Sequence, residues 1–359
     1  MMRAGALLCF VLAAACGAPE FHVSRERSVS ALPLAVPEPA DNPSTPEKIE
    51  LGRLLFWDPV LSGQRDVACA TCHHPDLAYA DGRALSIGVG GHGLGRERTE
   101  GATVHRTPRS SMSILNVAWN GLGAGDADVA EAAPMFWDNR ERSLETQALL
   151  PIQNLDEMRG PSFSESEILP EVVGRLNAIP EYVTRFEAAF GSAAISAETI
   201  GKSIAAFERT LVNPSSFDRF MAGDDAALSH AAKRGLAAFI HDGCSNCHSG
   251  PMLSDFELHR VGAADPPGVI DDGDGRFRTP SLRNIVHTAP YMHGGTLHSL
   301  QAVLDFYEKV DTSLDPDLPD EFSPRDAGLF MPFFEALSDG DFDRTRPDTV
   351  PSGLPVGGR

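Results

Sequence analysis

The sequence predicts a mostly α-helical protein folded as two units with long irregular loops, and three observations carry that expectation. Apolar residues recur at helical spacing in several separate stretches, while no strand-rich segment is present. The pattern C-x-x-C-H occurs twice, as Cys69-Ala70-Thr71-Cys72-His73 and as Cys244-Ser245-Asn246-Cys247-His248, about half a chain apart. The 27 prolines and 33 glycines point to extended, irregular connections. A chain of 359 residues, 42% of them hydrophobic, is long enough for two packed cores.

Met1-Met2-Arg3 and the apolar run from Ala4 to Ala15 have the length of a signal-peptide core and are too short to span a bilayer as a helix. Residues 1–16 are therefore expected to direct export to the periplasm. Leu12-Ala13-Ala14-Ala15-Cys16 resembles a bacterial lipoprotein box, so lipidation at Cys16 and ordinary cleavage nearby both stay open. A lipid at Cys16 is the one expected membrane link. Cys9 leaves with the apolar run, and the four motif cysteines then leave no disulfide framework to explain.

Residues 17–45 read as an extended, proline-rich leader. Thr45-Pro46 opens a helix through Ile49, Leu51, Leu54 and Leu55, feeding the first motif. The glycine-rich and charged stretch 81–105 is a loop. Helices are expected over 140–150, broken by Pro151, then over 165–176 and 180–190. A longer one is capped by Ser196, with Ile200, Ile204, Phe207 and Leu211 on one face. Asn213-Pro214 ends it and marks a boundary between units at 46–213 and 214–345. The second unit opens with a helix over 229–241 ahead of Gly243 and Cys244, as class I cytochrome c domains do, and has another helix over 297–310. Residues 346–359 are a tail with too little apolar content for a core.

C-x-x-C-H places two thiols on neighbouring points of a turn, where they form thioethers to the vinyl groups of a c-type haem, with the next imidazole under the iron. Two covalent haems are expected, held by Cys69, Cys72 and His73 and by Cys244, Cys247 and His248. What fills the sixth position decides between electron transfer and chemistry. For the second haem Met292, Tyr307 and Met331 are all at plausible distances downstream; spacing alone favours Met292. The net charge of -20 argues against a nucleic-acid partner and is compatible with a donor that has a basic face.

Leu51-Gly52-Arg53-Leu54-Leu55-Phe56, Phe136-Trp137-Asp138-Asn139-Arg140, Arg278-Thr279-Pro280-Ser281-Leu282-Arg283-Asn284 and Thr288-Ala289-Pro290-Tyr291-Met292-His293-Gly294-Gly295 resemble, in order, segments of the bacterial diheme cytochrome c peroxidase and MauG family. The resemblance covers nearly all of residues 45–345. It implies an oxidoreductase in which hydrogen peroxide generates a high-valent haem state at the first, N-terminal peroxidatic haem. The reductant is then a small cytochrome c, a cupredoxin, or residues of a partner protein as for MauG.

The family's second-haem ligand lies fourteen residues beyond the histidine of the Pro-Tyr-x-His segment, which is Tyr307 counted from His293. The resemblance thus replaces Met292 by Tyr307. It also implies Gln147, Pro151 and Glu157 as the distal groups of the first haem and Trp137 as the residue between the haems. Asn116, Thr288 and Pro290 match the family's calcium site. Its distal loop histidine is replaced here, since Ser86-Ile87-Gly88 is followed by Val89. This implies an open first haem, with His92 nearby as the alternative ligand; His74 and His105 read as ordinary loop histidines. The run Asp271-Asp272-Gly273-Asp274-Gly275 lacks a complete calcium-loop pattern and reads as a solvated turn. The contrasting reading is a diheme electron carrier or haem sensor without turnover.

Overall fold

Thr45 caps the first long helix of the computed structural model, Pro46–Trp57, accepting a hydrogen bond from the Lys48 amide at 3.3 Å, with proline in the first turn where no amide is needed. The structure describes residues 29–123, 129–269, 273–318 and 327–358. Cys9, Cys16, the first part of the leader, and Asp271 and Asp272 lie outside the described residues.

Six more helices of eight residues or longer follow among the described residues: Glu165–Asn177, Pro180–Phe190, Ala197–Glu208, His230–His241, Leu300–Tyr307 and Ala327–Ala336. Ser196, Ser229 and Ser299 cap three of them through their side chains. The last helix was not expected, because Pro332 inside it masks the helical signal. The only named strands among the described residues form two antiparallel ribbons, Gly91–His92 with Thr99–Glu100 and Leu258–His259 with Phe277–Arg278. None of the described helices is long and apolar enough to cross a membrane.

The helices pack around two main cores. Leu51, Leu55, Ile168, Val172, Phe186 and Ile204 belong to the first; Phe217, Leu236, Phe239, Leu304, Phe330 and Phe333 belong to the second. Fully burying one such side chain contributes about 1.5–3 kcal/mol. The expected LGRLLF segment has a steric logic at Gly52: a Cβ there would stand 1.9 Å from the Ser203 carbonyl oxygen. Only glycine lets Pro46–Trp57 lie that close to Ala197–Glu208.

The two halves are tied by buried polar groups. Asn116, Asn213 and Asn284 form a side-chain ladder, with Asn116 Nδ2 donating to Asn213 Oδ1 at 2.6 Å and Asn213 Nδ2 to Asn284 Oδ1 at 2.5 Å. Asp218 takes both terminal nitrogens of Arg283 at 2.8 Å and also the Leu32 amide at 2.7 Å. The described part of the leader is therefore docked onto the second half, where Val29 pairs with Gly250.

The C-terminal segment is docked too. It forms no core of its own, but Val350 is buried in the cluster around Trp57 and Tyr79, Ser352 Oγ donates to Asp58 Oδ1 at 2.6 Å, and the Gly357 amide donates to the Trp57 carbonyl at 2.8 Å. Val350, the part-buried Leu354 and Val356, and hydrogen bonds through Ser352 and the backbone hold it, too few apolar residues to set up a helical or strand period.

Candidate active site

Cys69–Cys72 form a single helical turn whose inner residues, Ala70 and Thr71, are fully buried. His73 follows, and its Nδ1 lies 3.0 Å from the Tyr79 carbonyl oxygen. The second motif repeats the arrangement: a short 3-10 turn at Cys244–Asn246, then His248 with Nδ1 3.0 Å from the Leu253 carbonyl. Tyr79 and Leu253 both adopt positive φ, 56° and 50°, which turns each carbonyl back onto its imidazole. A carbonyl only accepts, so Nδ1 carries the hydrogen in each neutral ring and Nε2 keeps its lone pair. Burial lowers the pKa of both histidines and favours that neutral form.

Both rings border one cavity of about 560 Å³, which runs from Cys69, Cys72 and His73 to His248 and Tyr307. A smaller one of about 130 Å³ lies against Cys244, Cys247 and His248. Burial pushes the Cys69 thiol up, and those of Cys72 and Cys244 to about 12, and none of the four motif cysteines is in a disulfide. Paired thiols outside any disulfide, a tautomer-fixed imidazole and an apolar cavity at each motif fit two haem c groups. Arg109, Arg140 and Arg278 on the larger cavity supply positive charge suited to propionates.

Gln147, Pro151 and Glu157 all line the larger cavity. Sequence reasoning expects one helix broken at Pro151; the structure has three short pieces instead. Leu144–Gln147 is capped by Ser143, Leu150–Gln153 has Pro151 in its first turn, and Leu155–Arg159 is a π-helical turn. Asn154 Oδ1 starts that turn by accepting from the Asp156 and Glu157 amides, at 2.8 and 3.3 Å. The wide turn carries Glu157 to the cavity wall. Burial, opposed by Arg140 and reinforced by Asp156, pushes its pKa up to about 7.

The loop after the first motif packs under this turn. At Gly88 a Cβ would stand 1.8 Å from the Asp156 carbonyl oxygen, which explains the glycine. Val89 is buried in the first core at 1% exposure, and His92 is exposed on its ribbon and does not border the cavity. His105 pairs with Asp156 at 2.9 Å, and His74 lies edge-on to Trp57.

Trp137 borders both cavities, its indole N–H donating to the Ser110 carbonyl at 2.8 Å and its own carbonyl accepting the Arg278 amide at 2.6 Å. Tyr307 ends its helix facing both cavities, with burial, then the neighbouring Cys247 and Cys244, raising its phenol pKa. Met292 borders the same two cavities, whereas Met331 packs on the second core and borders neither. Thr288 and Pro290 border the larger cavity, but Asn116 does not; its amide is engaged in the asparagine ladder, donating from Nδ2 and accepting the Asn213 amide at Oδ1, 3.0 Å away.

One cavity carboxyl was missed. Glu208, the last residue of Ala197–Glu208, is 6% exposed, borders the cavity near Cys69, and leaves Oε2 without a hydrogen-bond partner. Burial, opposed by Arg209 and reinforced by Glu145, pushes its pKa up to about 8. A signal for it exists: Ile200, Ile204 and Glu208 share one helical stripe, so the carboxyl interrupts an apolar face.

The family model for di-haem cytochrome c peroxidase matches residues 46–226. The chain is 38% identical over 322 residues to the methylamine utilization protein MauG of Methylorubrum extorquens, covering 85% of this chain and 82% of that one. It is 32% identical to the cytochrome c551 peroxidase of Pseudomonas aeruginosa, covering 94% and 92%. Among solved structures, a MauG-like protein associated with microbial copper homeostasis superposes with a TM-score of 0.65 at 28% identity, covering 90% of this chain and 96% of that one. With its two motifs facing connected buried space, the chain belongs to the diheme cytochrome c peroxidase and MauG family and is an oxidoreductase of the diheme peroxidase kind.

Proposed function

We propose that the protein reduces hydrogen peroxide at its N-terminal unit, residues 46–213, and returns the oxidising equivalents to a donor by way of its C-terminal unit, residues 214–345, each a class I cytochrome c-like domain. The observation that carries this is the shared cavity of Gln147, Pro151 and Glu157 with Cys69, Cys72 and His73. When bound, the haem at His73 supplies the iron that binds peroxide and takes up its oxidising power. The overall balance is H2O2 with two electrons and two protons giving two waters.

Glu157 takes the proton from the inner peroxide oxygen and returns it to the outer one, so that water leaves as the O–O bond breaks; a carboxyl with its pKa near the working pH does both. Gln147 orients peroxide through its amide, and Pro151 closes the pocket without adding a donor. Trp137, anchored on Ser110, carries electrons between the two cavities that it borders. Tyr307, which borders the same cavities as His248, would help to hold the second haem as a hard oxygen donor and would favour its ferric state.

Likeness to MauG supports residues of a partner protein as the electron source, with a small cytochrome c or a cupredoxin as the other option. The apolar segment at residues 4–15 supports export to the periplasm. Calcium at Asn116, Thr288 and Pro290 rests on the sequence resemblance. Stopped-flow mixing of the diferric holoenzyme with peroxide tests the central assignment: Glu157→Gln should react at least ~100-fold more slowly than wild type. Equal rates remove Glu157 from the reaction. An EPR spectrum of the ferric protein should contain a high-spin component from the first haem; two low-spin haems return the chain to a carrier or sensor.

A further inference from the structure

His259 has no part in the peroxidase reading, yet its surroundings are unusually acidic. It lies on the ribbon Leu258–His259 with Phe277–Arg278, is 7% exposed, and has Nε2 3.0 Å from Asp255 Oδ2. A carboxylate accepts, so the Nε2 hydrogen points at Asp255. The other nitrogen, Nδ1, is buried with no hydrogen-bond partner and stands 3.9 Å from Asp315 Oδ1. One ligand atom each of His259, Asp315 and Asp317 lie within 4.8 Å of one another. Asp315 is itself 1% exposed and held in place, Oδ2 accepting the Arg260 amide at 2.9 Å and Oδ1 the Asp317 amide at 3.0 Å.

We infer that His259, Asp315 and Asp317 form a binding site for a zinc-class divalent cation. A gap of 3.9 Å is too long for a hydrogen bond, and it matches two donors that share one ion at roughly 2.1 Å each. Asp255 behind Nε2 is the carboxylate partner that orients a metal-binding imidazole and raises its basicity. An imidazole beside two carboxylates selects a zinc-like ion over magnesium or calcium, which take oxygen alone.

The charge balance agrees, because three carboxylates, Asp255, Asp315 and Asp317, stand around one imidazole. Cys247 Sγ also lies within 4.8 Å of ligand atoms of Asp255 and His259, but haem attachment commits that sulfur. Asp317 is exposed and leaves a path from solvent. Asp315 stands eight residues beyond Tyr307, so the ion would tie the second-motif ribbon to the segment that follows the Tyr307 helix.

Equilibrium dialysis of the holoenzyme against Zn²⁺, with zinc and iron counted together by mass spectrometry, tests the site. Wild type should take up one zinc per two irons at micromolar zinc. Asp317→Asn, an exposed change that leaves the core alone, should weaken uptake ~10–100-fold, and His259→Gln should abolish it while both variants keep the wild-type Soret spectrum. Wild type with no zinc above background overturns the site. So does Asp317→Asn with unchanged affinity, even if His259→Gln fails to fold.

Discussion

Thr71, between the two cysteines of the first motif, donates its hydroxyl hydrogen to the Gly357 carbonyl at 2.9 Å across 286 positions of sequence, and the same oxygen accepts the Ala68 amide at 2.9 Å. The C-terminal segment thus braces the turn from which Cys69 and Cys72 reach the cavity. Thr71→Val keeps the volume and removes both hydrogen bonds, leaving a carbonyl and an amide buried without partners. The expected cost is about 1–3 kcal/mol. Guanidinium unfolding of the holoenzyme reads it as a lower midpoint at unchanged slope, and a midpoint equal to wild type rejects the brace.

Arg140 and Asp156 act on Glu157 in opposite senses, and burial dominates both. A base must be ionised to take the peroxide proton. The second-order rate with peroxide should therefore rise as pH increases through about 7, the value to which the Glu157 carboxyl is pushed. Replacing Arg140 by Gln removes the group that favours the carboxylate, so the rising limb should move to higher pH. A limb that stays in place in Arg140→Gln, or survives in Glu157→Gln, belongs to another group.

Much of this was legible before the structure. Thr45 and Ser196 announce their helices because capping is a local interaction. The helix Pro180–Phe190 begins at its proline for the same kind of reason. Family spacing singles out Gln147 and Glu157, which both border the larger cavity, but not the π-helical turn that carries Glu157, since one residue of extra width in a five-residue turn leaves no periodic trace. The docking of residues 347–358 was illegible too: backbone hydrogen bonds to Trp57 and Thr71 do not depend on side-chain type. His259 and Asp315 are far apart in sequence, and only folding makes them neighbours.

Glu208 should make stability fall with pH. Its folded-state pKa, pushed up to about 8, lies above the unfolded carboxylate range, so the folded state holds the proton more tightly. Its contribution is fully present below about pH 4.5 and is lost as pH rises through about 8. Glu208→Gln, which stays neutral, should flatten this decline and leave the variant more stable than wild type above pH 8, by on the order of 5 kcal/mol. Unfolding midpoints of both holoproteins at pH 5, 7 and 9 would test this. Parallel pH profiles would mean that the carboxylate finds a partner when the haem is in place.

Tyr307 and Met292 border the same two cavities as His248, so the choice between them is experimental. The helix Leu300–Tyr307 starts at Ser299, whose hydroxyl accepts the Ala302 amide, and it delivers the phenol from its last turn. Burial disfavours a free phenolate there, so deprotonation of Tyr307 requires a strong cation at its oxygen. A ferric haem iron would supply one, and oxygen ligation would lower the reduction potential relative to a thioether. Tyr307→Phe removes the oxygen while keeping the ring, leaving Met292 as the one sulfur among the described residues that borders both cavities. Spectroelectrochemical titration should then find the second haem's potential raised. An unchanged potential and an unchanged low-spin EPR signal would show that the phenol never bound the iron, and the ligand would revert to Met292.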